Sequence, residues 1–138
     1  NVKDFNEIIT SYVDILFGNK DEVKILTGES DPVEGGKKLM KMGVEVALVK
    51  VGGDGSLLFY KDKIVSIPVY KTDKVLDSTG CGDTYAAGFL YGYSSGKSNE
   101  SSAKFASYLA SKIIEVPGAQ YELLDFNEIN KKKDELFV

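Results

Sequence analysis

Apolar positions along the chain switch between helical and strand spacing, and the switches outline the elements. The opening NVKDFNEII already carries helical periodicity. VDILFG, from Val13 to Gly18, is a short apolar run of the strand type. NKDEVKILTG follows it, with Asn19 as a helix cap and acids in the first turn. Asp31-Pro32 starts another helix that runs through Met42 and closes at Gly43. EVALVKVG, Glu45 to Gly52, is apolar enough for a buried strand. SLLFYKD and KIVSIPV read as the two strands of a hairpin around Lys61 to Lys63. Thr72 to Asp77 reads as a loop. Helices are predicted from Thr84 to Tyr93 and from Asn99 to Ile114, where Pro117-Gly118 ends the second. A final polar helix is predicted near Asn127 to Glu135. Helices alternating with buried strands predict an α/β fold with a mainly parallel sheet covered by helices. No internal repeat, low-complexity tract or domain linker interrupts the pattern.

Composition narrows the chemistry. The 138 residues suffice for one domain with a real core. All 17 basic residues are lysines, and the net charge is −4. Without Arg there is no bidentate phosphate clamp and no arginine finger, so a phosphate site must use backbone amides, Lys or a metal. Without His there is no His base, His metal ligand or Ser-His-Asp triad. Lys131 to Lys133 is the one basic run and reads as a solvated helix face, so no nucleic-acid partner is expected. No apolar run reaches membrane-spanning length, and no membrane partner is expected. The single Cys fits a reducing, cytoplasmic compartment.

The stretch Val75 to Gly88, VLDSTGCGDTYAAG, carries the sharpest chemical signal. Gly80, Cys81 and Gly82 make a small-residue turn, Asp83 follows at once, and TYAAGFLYGY reads as a packed helix. Such a turn at a helix start leaves backbone N–H groups pointing outward in a positive dipole field. An anion hole beside a carboxylate points to phosphoryl transfer to a hydroxyl. The bland alternative is an ordinary loop with a helix cap. DSTGCGD followed by AAGF resembles the D-T-x-G-A-G-D…G-F signature of the ribokinase-like, or phosphofructokinase-B type, carbohydrate kinases. The resemblance implies that Gly80, Cys81 and Gly82 form the anion hole and that Asp83 takes the proton from the substrate hydroxyl. Cys81 stands where alanine is usual, and a thiol is little larger than a methyl. Its place in the turn predicts sensitivity to thiol reagents; the alternative is an inert, packed Cys.

Two further segments extend the resemblance. Asn19 and Glu22, in F-G-N-K-D-E, are similar to the family's N-x-x-E motif, whose residues help organise Mg²⁺ and phosphate largely through water. The other reading is a cap and a first-turn acid. Gly52, Gly53 and Gly55, in VKVGGDGSLLFY, resemble the T-L-G-x-x-G segment that lines the ATP site. The other reading is a strand-end turn that needs glycine. GGDG followed by Ser56 also resembles the GGDGT of NAD kinases and lipid kinases, a rival that leaves DSTGCGD unexplained. Asp77 and Thr79, with Val116 to Gly118, resemble the monovalent-cation site of many family members. A turn-fixing role for Asp77 is the alternative. The helix Ala103 to Ile114 has small residues at intervals, a pattern of close helix packing that borders the adenine in the family.

Together these features imply a three-layer αβα ribokinase-like fold, C-terminal part only, with a mainly parallel sheet and a β-hairpin. Residues 1–138 would be the nucleotide-binding, catalytic C-terminal portion of a kinase domain, since family members are considerably longer. The implied reaction is ATP-dependent phosphoryl transfer to a sugar or nucleoside hydroxyl, with ATP and Mg²⁺ required, K⁺ a further cofactor, and a homodimer allowed for the full-length protein. A nucleotide-binding fragment inactive on its own is the alternative.

Overall fold

The structure is a computed structural model that describes every residue except 73, 76–79 and 138. Two compact units, Asn1–Ile67 and Pro68–Val138, divide the chain.

The first unit is built on a four-stranded sheet. Its elements are α1 (Val2–Tyr12), β1 (Ile15–Asn19), α2 (Lys20–Thr27), α3 (Pro32–Lys41), β2 (Val46–Lys50), β3 (Ser56–Tyr60) and β4 (Lys63–Ile67). The strand order is β1-β2-β3-β4. β1 and β2 run parallel, with Ile15 opposite Val46 and Asn19 opposite Lys50. A parallel pair needs a long crossover, and α2 and α3 supply it. β2 with β3 and β3 with β4 are antiparallel. The α/β reading holds, but the sheet is mixed rather than mainly parallel. Connection length is the reason. The Gly52–Gly55 turn joins β2 to β3, and Lys61-Asp62 joins β3 to β4, and neither is long enough to cross over. The expected hairpin is present, and the glycine turn makes a second.

Val46 to Val49 are all buried, as a continuous apolar run in an inner strand requires. Ile9, Val23, Leu39, Val44, Ala47, Val49 and Phe59 form the core of this unit. The Phe59 ring occupies the space that a Cβ on Gly36 would need, so α3 lies close against the sheet. Lys38 Nζ donates to the Thr27 carbonyl at 2.6 Å, which ties α3 to the end of α2.

The second unit is helical. It contains α4 (Cys81–Ser94), α5 (Asn99–Ile113) and α6 (Phe126–Leu136), with short 3₁₀ turns at Pro117–Ala119 and Tyr121–Leu123. α4 begins at Cys81, three residues before the expected Thr84, because Gly80 turns the chain at φ 75° directly into the helix. α4 and α5 pack antiparallel. A Cβ on Gly88 would lie 2.9 Å from the Ala106 Cα, and one on Gly92 would overlap the Ser102 Oγ. Ala103, Ala106 and Ala110 are buried, so the small residues of α5 serve helix packing. Phe105, Tyr108 and Ile129 form a second core, flanked by Leu109, Leu136 and Phe137.

Charge fastens α6 to α5. Lys112 Nζ lies 2.8 Å from Glu128 Oε1, and the Tyr108 hydroxyl donates to the same oxygen at 3.3 Å. The hydrogen bond from Lys112 holds the Glu128 carboxyl below its ordinary value, and the same bond holds the Lys112 ammonium above its own. A lowered carboxyl contributes stability that is present above its unfolded pKa and fades as pH falls through the folded value. The Lys112 contribution runs the other way and is lost only in strong alkali, as pH rises through its raised value. Glu128→Gln should therefore melt below wild type at neutral pH. The gap should close as the pH drops below the carboxylate range. Thermal melts by far-UV circular dichroism across that range check this, and an unchanged gap in acid would contradict it.

Candidate functional site

The residues singled out by sequence fall in both units. Asn19, Glu22, Gly52, Gly53 and Gly55 belong to the first, and Gly80, Cys81, Gly82 and Asp83 to the second. Asp77 and Thr79, the expected monovalent-cation residues, lie outside the described residues.

In the first unit, Asn19 and Glu22 form a reciprocal capping box at the start of α2. The Asn19 side chain accepts the Glu22 N–H at 2.8 Å, and Glu22 Oε2 accepts the Asn19 N–H at 3.1 Å. Gly18 gives the carboxylate room, since a Cβ there would stand 3.3 Å from Glu22 Oε2. The cap reading thus has direct geometric support. The box occupies one lone pair of Glu22 Oε2, so a cation here would be met by Oε1, by the second lone pair of Oε2 or through bridging water. Oxygen donors reached through water suit a hard cation such as Mg²⁺. Among the described residues, no three Asp, Glu or Cys side chains gather as a metal cage.

Beyond β2 the chain enters the Gly52–Asp54 turn. Gly52 takes φ 68° and Gly55 φ 91°, values that favour glycine. Gly55 N–H donates to the Gly52 carbonyl at 3.1 Å, and Val51 N–H to the Gly55 carbonyl at 2.9 Å. Gly52 and Gly53 are exposed, and a Cβ at either would meet nothing within 4 Å. Turn geometry therefore demands two of these glycines, and open space remains above the turn. Asn19 pairs with Lys50 at the ends of adjacent parallel strands. Cap and glycine turn accordingly emerge side by side at the carboxyl end of that pair, the edge where open α/β sheets receive ligands.

In the second unit, Gly80 is the N-cap of α4 in the left-handed conformation, and no side chain among the described residues caps this end. Thr84 N–H donates to the Gly80 carbonyl at 2.9 Å and closes the first helical turn. The amides of Cys81, Gly82 and Asp83 precede it, the ones a helix start directs outward. Asp83 is exposed in this turn, while Cys81 and Gly82 are partly buried. Amides and carboxylate thus share one helical turn, with the anion-favouring end of the α4 dipole behind them.

Sequence reading missed the support behind this turn. Thr84 is buried, and its Oγ1 lies 3.0 Å from the Tyr121 hydroxyl. That bond ties the first turn of α4 to the segment following the Pro117–Ala119 turn, where Gly118 takes φ 61°. No periodic pattern marks Tyr121, because its partner lies 37 residues away. A cleft of about 350 Å³ opens beside them, lined by Thr84, Tyr91, Phe105, Tyr121, Phe126 and Lys133.

Comparison with known proteins gives these segments a context. The family model for pfkB family carbohydrate kinases matches residues 2–125. A protein of Archaeoglobus fulgidus described as an uncharacterized sugar kinase is 36% identical over 114 residues, spanning 83% of this chain and 45% of that protein. A nucleoside kinase of Methanothermobacter thermautotrophicus is 37% identical over 120 residues, spanning 86% of this chain and 37% of its own length. The structure of Arabidopsis thaliana ribokinase complexed with ribose and ATP superposes with a TM-score of 0.81 at 35% identity, covering 91% of this chain and 42% of the ribokinase. The chain therefore spans under half the length of these relatives, and its part of the fold is ribokinase-like. The family match runs through GGDG and DSTGCGD alike, which removes the ground for the NAD-kinase or lipid-kinase rival. The chain belongs to the pfkB family of carbohydrate kinases.

Proposed function

We infer that the protein carrying this chain transfers the γ-phosphoryl group of ATP to a hydroxyl of a sugar or nucleoside. The observation that carries this reading is the first turn of α4. An exposed carboxylate, Asp83, stands there beside the first amides of a helix whose N-cap is Gly80 and which no side chain among the described residues caps. The relatives named as sugar kinase and nucleoside kinase, and the ribokinase bound to ribose and ATP, support the substrate classes.

The step balances without an enzyme-bound intermediate. The acceptor hydroxyl oxygen forms a bond to the γ-phosphorus as the bond to the β–γ bridging oxygen breaks, and ADP leaves. Asp83 takes the hydroxyl proton. The Gly80–Gly82 turn holds the charge on the transferring group through backbone amides, an arrangement that suits a chain without Arg. Gly52 and Gly53 are exposed, with open space where a side chain would stand, and offer backbone to a nucleotide, while Gly55, itself buried, closes the turn that presents them. Asn19 and Glu22 would hold Mg²⁺ through water, and the ion would supply charge neutralisation on the phosphates. A K⁺ site at Asp77 and Thr79 would add fixed positive charge beside the anion hole. The setting is the cytoplasm, and a homodimer is the proposed assembly of the full-length protein.

A second reading is that this chain by itself is a nucleotide-binding module without turnover. Its span of 45% or less of these relatives favours that reading for the isolated chain. Proximity and water exclusion need the acceptor pocket and lid, which the family resemblance assigns to the other half.

Asp83→Asn in the full-length protein should lower turnover by about 10²–10⁴-fold while sparing ATP binding. Coupled ADP-release kinetics with ATP titration checks this, and near wild-type turnover would remove Asp83 as the base. The isolated 138-residue chain should bind ATP yet transfer no phosphate to any sugar or nucleoside. A robust acceptor-dependent rate from that chain, free of contaminating kinase, would overturn the dependence on the remaining length.

A further inference from the structure

Pro68 to Thr72, with Lys74 and Val75, form neither helix nor strand, although they lead the chain toward Gly80. Backbone without ladder hydrogen bonds finds its partners in turns, side chains or water. Three side-chain anchors hold this segment within the second unit. Ser107 Oγ donates to the Pro68 carbonyl at 2.7 Å. The Tyr70 ring meets Tyr108 edge-on, with centroids 5.5 Å apart, and the Lys132 ammonium stands 5.3 Å from the Tyr70 centroid. Thr72 Oγ1 donates to Glu115 Oε1 at 2.6 Å.

The third anchor differs from the other two. It is a short, charge-assisted bond between partly buried groups. Thr72 Oγ1 also accepts the Lys74 N–H at 3.1 Å, so one hydroxyl shapes the local turn and crosslinks it. Glu115 stands immediately before the Val116–Gly118 segment, and its side chain is 24% exposed with Lys112 Nζ 3.8 Å away. The bond therefore joins the chain entering the glycine turn to the chain leaving α5, across 43 residues of sequence.

We propose that Thr72 and Glu115 are positioning residues for phosphoryl transfer, their hydrogen bond acting as a latch that fixes the approach to the Gly80–Gly82 turn. The inference rests on the kinase reading above. Amides that stabilise a transferring phosphoryl group must be held to a fraction of an ångström, and among the described residues that precede Gly80 the Thr72 hydroxyl is the side-chain anchor nearest to that turn in sequence. Valine matches threonine in shape but would leave the Glu115 carboxylate and the Lys74 N–H without their hydroxyl partner.

The test is steady-state kinetics on the full-length protein carrying this chain, comparing wild type with Thr72→Val, Thr72→Ser and Glu115→Met. The latch predicts that Thr72→Val and Glu115→Met each lower kcat by about 10–100-fold, with KM for ATP and acceptor changed less than about twofold. Thr72→Ser should keep kcat within about threefold of wild type, since the hydroxyl is retained. Wild-type kcat in Thr72→Val would overturn the proposal. So would a parallel loss of kcat and ATP affinity that Thr72→Ser does not rescue, because that marks general damage to the fold. If Thr72→Val fails to fold by circular dichroism, Glu115→Met decides by the same criteria. A wild-type protein inactive on every sugar and nucleoside tried would instead overturn the kinase reading, and the latch with it.

Discussion

α4 can lie where it does only because Gly88 and Gly92 present no side chain to α5. At Gly88 the obstruction to a Cβ is the Ala106 backbone, which cannot swing aside as a side chain might. The consequence reaches the far end of the helix. α4 is one continuous helix over Cys81–Ser94, so its packing against α5 also bears on where its first turn stands. That turn carries the Gly80–Gly82 amides and Asp83. Small residues deep in a helix pair thus help to place a turn that does not touch them.

The same economy operates in the first unit. Phe59 over Gly36 seats α3 close to the sheet, and the crossover through α2 and α3 makes β1 and β2 parallel. The register then brings the Asn19–Glu22 capping box and the Gly52–Asp54 turn to one edge. Local needs account for much of what is seen there. The cap satisfies the first amides of α2, and positive φ demands Gly52 and Gly55. Structural necessity and ligand binding do not exclude one another, because a turn that must be glycine is also a turn that leaves backbone exposed.

Much of this was legible in the sequence, for identifiable reasons. The strands announced themselves as apolar runs, Asn19 and Glu22 had the spacing of a capping box, and Asp31-Pro32 marked the start of α3. The pairing of strands was less legible, since an apolar run does not state its direction, and short connections made β2–β3 and β3–β4 antiparallel. The start of α4 was hidden because Cys81, Gly82 and Asp83 are weak helix formers, and Gly80 rather than local propensity launches the helix. Thr84 with Tyr121, and Thr72 with Glu115, could not be paired by any spacing rule, since each bond spans dozens of residues.

The central claim is that ATP phosphates sit on the Gly80–Gly82 turn, and Cys81 lies in that turn as the one thiol of the chain. Its position makes it a reporter. The rate of Cys81 modification by iodoacetamide, read by mass spectrometry on the full-length protein with and without MgATP, tests the claim directly. With nucleotide at about ten times its dissociation constant, mass action should slow the modification by about tenfold. A modification rate that saturating nucleotide leaves unchanged would contradict the placement of the phosphates at this turn.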